Sequence, residues 1–197
     1  LLSDSKNYRE NNGRKQFTSL DENICIENVS YSIDKKKILE NLTVKIPKNK
    51  ITLITGASGS GKTTLLNIII GLIKPSTGVV KINSNNVLDY DIKTLRPKIG
   101  LVSQDIIYFN MSVRENLSLR SNNIIDSKLL NFLENFGLKS KFAEEKIDLD
   151  YVIDESSSNI SGGEKQRIAI IREIISDPEI LILDEATSAL DDLNSEL

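Results

Sequence analysis

Histidine is missing from all 197 residues. That removes histidine metal sites, Ser-His-Asp triads and imidazole acid–base chemistry from consideration. A single cysteine, Cys25, excludes an internal disulfide framework and a cysteine-rich zinc site. Long apolar runs are missing too: the longest, Leu65 to Ile73, is interrupted by Asn67 and Gly71 and is far too short to cross a bilayer. No secretory leader is legible in the polar start Ser3-Asp4-Ser5-Lys6-Asn7, and with so little cysteine the chain reads as facing the cytosol. A net charge of −3 offers no basic surface for nucleic acid. What remains is an ordinary globular composition, 39% hydrophobic and 27% charged, long enough for one core-forming domain with or without a tail.

Residues 1–20 carry four basic and two acidic side chains around Asn11-Asn12-Gly13 and read as a linker or weakly ordered arm. Beyond them strands and helices alternate. Ile24–Val29 and Leu42–Ile46 have strand character, Pro47–Lys50 is a turn, and Ile51–Ile54 is a short apolar strand. An apolar helix pattern runs from Lys62 to Ile73 and is closed by Gly71 and Pro75. Val79–Ile82, Ile99–Val102 and Ile180–Leu183 are further strands. Ser112 with Glu115 forms a capping box, and Leu129, Leu130, Leu133 and Phe136 fall at helical spacing before Gly137. Short apolar strands between helices predict an α/β fold with a mostly parallel sheet, preceded by an antiparallel flap and interrupted by a helical insertion.

Between the strand at Ile51–Ile54 and the helix at Lys62 lies Gly56-Ala57-Ser58-Gly59-Ser60-Gly61-Lys62-Thr63, a G-x-x-x-x-G-K-[ST] pattern. Phosphates crowd several negative charges into a small volume. Glycines let backbone N–H groups approach the oxygens, and the following helix aims about half a positive charge at them. Lys62 adds a full cation, the Thr63 hydroxyl suits Mg²⁺, and Thr64 is placed to bond a further phosphate oxygen.

Downstream, Ile180–Leu183 runs into Asp184-Glu185, two carboxylates at the carboxyl end of an apolar strand. Asp184 suits Mg²⁺, through water, and Glu185 suits orientation or deprotonation of an in-line water. A second glycine turn, Ser161-Gly162-Gly163-Glu164, opens a helix with an Ile168, Ile171, Ile175 stripe. Capping accounts for Ser161 and Glu164. It does not account for the adjacent glycines, which read as a second anion cradle.

The ordered set of motifs resembles the nucleotide-binding domain of ATP-binding cassette (ABC) transporters over about residues 24–193. Gly56–Thr64 are similar to Walker A, Gln104 to the Q-loop, Ile160–Glu164 to the signature loop, Ile180–Glu185 to Walker B and Ser188–Asp191 to the D-loop. Val102–Asp105, Phe109–Asn116 and Glu155 resemble the exporter type. The resemblance implies a P-loop NTPase core with ATP and Mg²⁺ as cofactors. It implies that Gly56, Ala57, Ser58, Gly59, Ser60, Gly61, Lys62, Thr63 and Thr64 hold the nucleotide together with Ser161, Gly162, Gly163 and Glu164 of a second, identical domain in a head-to-tail pair. It further implies Thr63, Gln104 and Asp184 as metal ligands, and Glu185, Lys62 and Gln104 as the catalytic set. The partners implied are a transmembrane domain and the second nucleotide-binding domain, with the chain at the cytoplasmic membrane face and residues 1–20 as the tether.

Three departures accompany the resemblance. The switch histidine of the family is not in this sequence, which predicts that a C-terminal portion lies beyond Leu197 and that hydrolysis by the 197-residue piece is weak or absent. Ile33 stands where an aromatic usually stacks on adenine, with Tyr31 two residues earlier. The signature begins with Ile160 and ends with Glu164, where Leu and Gln are commonest. An ABC-type ATPase unlinked to transport and a binding-only ATP switch are the competing readings.

Overall fold

Alternation of apolar and polar residues in Ile24-Cys25-Ile26-Glu27 puts Ile24 and Ile26 on a covered face and leaves Cys25 and Glu27 on the other. The same period in Val80 and Ile82 supplies a matching face, and the two segments pair antiparallel, Ile24 opposite Ile82 and Ile26 opposite Val80. The computed structural model describes residues 13–104, 107, 109–121, 124–138, 149–153 and 160–184. These fall into two units, Leu1–Lys98 and Ile99–Leu197.

In the first unit, β1 (Ile24–Ile33), β2 (Lys36–Ile46), β3 (Thr77–Ile82) and β4 (Asn85–Asn86) form an antiparallel sheet ordered β2-β1-β3-β4. The register slips between Ile26 and Val29, where Asn28 adopts φ 50°, so that Val29 returns to the buried face. Helix α1 (Lys62–Ile69) buries Leu65, Ile68 and Ile69, one stripe of a 3.6-residue repeat. It ends at Ile70, and Gly71 follows at φ 73°, earlier than the expected Ile73. A short α2 (Ile92–Leu95) is capped by the Asp91 side chain.

Two expectations for this unit fail. Residues 13–20 are not a loose arm. Phe17 is 4% exposed and meets Tyr90 edge-on at 5.4 Å, Leu20 is buried, and Lys15 exchanges backbone bonds with Asp89 (2.9 Å) and Asp91 (2.7 Å). Two apolar anchors in a polar stretch suffice to dock it, which composition alone conceals. Among the described residues Ile51–Ile54 forms no strand either: Ile51 is fully exposed, Leu53 is 80% exposed, and neither edge of the antiparallel sheet takes up the segment. An extended segment without a ladder partner is not a strand, however apolar.

In the second unit, β5 (Ile99–Val102) and β8 (Ile180–Leu183) pair parallel, Val102 opposite Leu183. The crossover between them holds β6 (Met111–Ser112), α3 (Val113–Ser118), α4 (Asp126–Asn135), β7 (Val152–Ile153) and α5 (Gly162–Ile174). Helix α5 is the partition. Its Ile168 and Ile171, with Ile175 just beyond its end, join Leu117, Leu129 and Leu133 in a helical core, while Ala169 and Ile170 pack with Val102 of β5. The expected mostly parallel sheet is thus one parallel pair among the described residues, and the larger sheet is antiparallel. Nor is β8 covered on both faces: Ile180 and Ile182 are buried, but Leu181 and Leu183 are about 40% exposed. The capping box at α3 is formed in full, Ser112 N and Oγ donating to Glu115 Oε2 at 2.9 and 2.8 Å and Glu115 N donating to Ser112 Oγ at 3.2 Å.

Phe17→Ala is expected to destabilise the first unit by about 3 kcal/mol, read by urea titration, because a buried ring leaves a cavity against Tyr90. A loss under about 0.5 kcal/mol would restore the loose-arm reading. At α3, donation first from the Ser112 backbone and then from its hydroxyl holds the Glu115 carboxyl below its ordinary 4.5. A depressed folded pKa means that the cap contributes above the unfolded value and is lost as pH falls through the folded one. A carboxyl-carbon NMR titration should place the Glu115 midpoint below 4.5, and Glu115→Gln should flatten the acid-side loss of α3 protection.

Candidate nucleotide site

The loop before α1 turns on glycines. Gly59 and Gly61 have φ of 76° and 92°, the left-handed region that costs other L residues about 1–2 kcal/mol. Gly61 is also crowded: a Cβ there would lie 3.0 Å from Ile38 Cγ2 and 3.1 Å from Leu39 Cδ2 of β2. Ser60 N donates to Ala57 O at 3.1 Å, tightening the turn. Gly61 is the N-cap of α1 and brings no side-chain cap. The leading N–H groups of a helix have no intrahelical acceptor, and here no capping oxygen is spent on them. Lys62 Nζ folds over the same loop, donating to Gly56 O at 2.9 Å and Ala57 O at 3.1 Å. Its ammonium is thereby held at the loop's mouth. Ala57, Ser58 and Thr63 are exposed and Thr64 is half-buried.

In the second unit, Val102 and Leu183 end the parallel pair at the same edge, and Asp184 N donates to Val102 O at 2.9 Å. Asp184 is 7% exposed, and Gln104, two residues past β5, is exposed. The structure therefore brings an amide and a buried carboxylate to one carboxyl edge, where α/β sheets gather ligands. Glu185, Glu155 and the stretch Ser188–Asp191 lie outside the described residues.

Ser161 caps α5 by accepting from Glu164 N at 3.2 Å, while Glu164 Oε2 accepts from Ser161 N at 2.7 Å. Both polar side chains of the second turn are thus engaged in the cap. Gly162 and Gly163 are the first helical residues of α5, and a Cβ at Gly162 would meet open space. Neither a positive φ nor crowding demands glycine at Gly162.

Some determinants escaped the sequence reading. Asn116 is completely buried. Its Nδ2 donates to Phe109 O, Met111 O and Ser112 O at 3.1–3.2 Å, and its Oδ1 accepts from Phe109 N at 3.3 Å, so it ties down the segment following Gln104. An amide inside an apolar helix stripe was the available signal. Arg114 joins α3 to Asp126 and, at 3.1 Å, to Asp150. Those two carboxylates, Asp126 first, raise its pKa.

A mixed α/β fold with a glycine loop opening a helix, a lysine over that loop and a carboxylate at a strand end defines a P-loop NTPase. The chain belongs to the ABC transporter family, whose model matches residues 39–188. Among similar proteins are the heterocyst differentiation ATP-binding protein HepA of Nostoc sp., 35% identical over 100% of this chain and 32% of its own length, and the mitochondrial iron-sulfur clusters transporter ATM1 of Saccharomyces cerevisiae, 37% identical over 85% and 24%. The ATP-dependent lipid A-core flippase of Neisseria gonorrhoeae is 35% identical over 94% and 29%. Among solved structures, a bacterial Atm1-family ABC exporter with ATP bound superposes with a TM-score of 0.83 at 26% identity, over 92% of this chain and 32% of that one. The chain spans about a third or less of the length of these relatives. Among the described residues, no helix is long and apolar enough to cross a membrane.

Gly61→Ala is expected to destabilise the first unit by about 1–2 kcal/mol through left-handed strain. It should also weaken nucleotide binding, since Ile38 or Leu39 must give way. Thermal unfolding with and without nucleotide checks both; an unchanged midpoint would contradict the glycine requirement.

Proposed function

We propose that this chain binds and hydrolyses ATP as the nucleotide-binding domain of an ABC exporter. One observation carries the reading: the left-handed Gly61 opens α1 without a side-chain cap, leaving the helix N-terminus and Lys62 to a polyanion. In this reading the backbone from Gly56 to Thr64 cradles the phosphates, and Lys62 exchanges its loop carbonyls for phosphate oxygens. The donors Thr63, Gln104 and Asp184 are a hydroxyl, an amide and a carboxylate, a hard all-oxygen set that fits Mg²⁺. Held by these residues, Mg²⁺ would offset the negative charge of the phosphates. Glu185 orients the attacking water and draws off its proton as the new P–O bond forms and the β–γ bridge breaks.

Ser161, Gly162, Gly163 and Glu164 act on the nucleotide of a second copy of this domain, head to tail. The Glu164 carboxylate, committed to its own cap, would serve there by holding Ser161 in place. In this reading the chain couples to a transmembrane domain at the cytoplasmic membrane face, and the transporter relatives support the coupling. Ile33, at the position where the family usually stacks an aromatic on adenine, is 49% exposed and available to a ring.

Lys62→Ala is expected to weaken ATP binding by about 10- to 100-fold, the worth of a charge-assisted bond. Glu185→Gln should retain binding yet lower turnover by about 100-fold or more. Isothermal titration and phosphate release measure the two. Unchanged affinity in the first variant, or unchanged turnover in the second, would refute the assigned roles.

A further inference from the structure

Strand β5 has one partner among the described residues, β8, and residues of one parity face it: Val102 O accepts from Asp184 N. The other parity, Ile99 C=O and Leu101 N–H, therefore points to the opposite edge. An open edge normally leaves such groups to water or to another chain. Here they are taken up by side chains. Leu101 N donates to Glu173 Oε2 at 3.2 Å, and Arg120 Nη2 donates to Ile99 O at 2.8 Å. Arg120 Nη1 also pairs with that same Oε2, closing the arrangement.

A parallel neighbour would meet Gly100 with one residue that donates its N–H to Ile99 O and accepts Leu101 N–H at its carbonyl. The guanidinium and the carboxylate occupy those two roles with the same polarity. Gly100 permits the approach: a Cβ there would lie 3.3 Å from Glu173 Cβ, 3.2 Å from Pro178 Cγ and 3.0 Å from Leu181 Cδ1. Glu173 is 5% exposed on α5, the helix that Ser161–Glu164 open, and neighbouring Arg172 donates to Ile107 O at 3.1 Å. Contacts from adjacent residues of α5 thus bracket Gln104 on both sides.

We propose that Arg120 and Glu173 are a positioning pair that substitutes for a missing strand, holding β5 in register so that Gln104 and Asp184 share one edge for Mg²⁺. The pair acts through Gln104 and touches no nucleotide. Its role in turnover rests on the ATPase reading above; its role as a strand substitute does not.

The test separates the two on the full-length protein. Glu173→Ala should raise amide exchange at Leu101, relative to Ile182, on the order of ten-fold or more, since an edge amide loses its acceptor. It should also raise the Mg²⁺ concentration for half-maximal turnover by about ten-fold, as loss of an outer-shell partner does, with ATP affinity in the absence of Mg²⁺ unchanged. Glu173→Gln keeps an acceptor and should hold both readings near those of the unaltered protein. The exchanged pair Arg120→Glu with Glu173→Arg keeps the charges but reverses donor and acceptor, and should resemble Glu173→Ala. Full recovery in the exchanged pair would reduce the interaction to an ordinary ion pair and overturn the proposal. Unchanged Leu101 protection in Glu173→Ala would do the same. Should Glu173→Ala fail to fold, loss of Leu101 protection in the isosteric Glu173→Gln is the overturning result. Absence of ATP turnover in the unaltered protein would instead remove the ATPase reading, with the Leu101 comparison still deciding the strand substitute.

Discussion

A cluster of like charges can be held only where several donors already point one way and no side chain stands among them. In the proposed reading that constraint shapes the stretch from Gly56 to Lys62. Left-handed φ at Gly59 and Gly61 turns the chain into α1, and the absence of a side-chain cap leaves its first N–H groups uncapped. Because a Cβ at Gly61 would press on Ile38 and Leu39, the loop lies directly against β2. The antiparallel sheet is thereby the floor of the glycine loop. Its buried face, Ile24, Ile26, Val80 and Ile82, is what keeps that floor in place.

The second unit solves a different problem with one helix. Helix α5 must join a helical core on one side and a two-stranded sheet on the other, and it does so with Ile168, Ile171 and Ile175 toward the first and Ala169 and Ile170 toward the second. Two of its six polar side chains are buried with the apolar ones. Gln166 is buried near its start and Glu173 near its end. Buried polar groups are tolerated when they are bonded, and Glu173 is bonded to a backbone amide and a guanidinium. Together with Asn116, which accepts and donates to the segment around Phe109, it fixes the path of the chain on either side of Gln104. Polar side chains thus do the work of backbone where regular pairing ends.

Much of this was legible in the amino-acid order. The glycine loop, the carboxylate after Ile180–Leu183, the two capping boxes and the Ile168, Ile171, Ile175 stripe all depend on neighbours within a few residues, and each occurs where its spacing predicts. Docking of Phe17 on Tyr90, the unpaired state of Ile51–Ile54 and the one-sided cover of β8 were not legible. All three depend on what another part of the chain offers. Apolar content promises that a segment gains by burial but says nothing about which surface will receive it.

Sequence alone determined the local chemistry: where the glycine turns lie, where helices begin, and which side chains cap them. Those outcomes follow from steric limits on φ and from hydrogen bonds spanning three or four residues. Tertiary structure decided which backbone edges are satisfied and by whom. The register of β5, and with it the placement of Gln104, is set by Arg120 and Glu173, residues 53 positions apart. Nothing in local spacing links two such side chains; only the fold, by bringing α5 against Gly100, does.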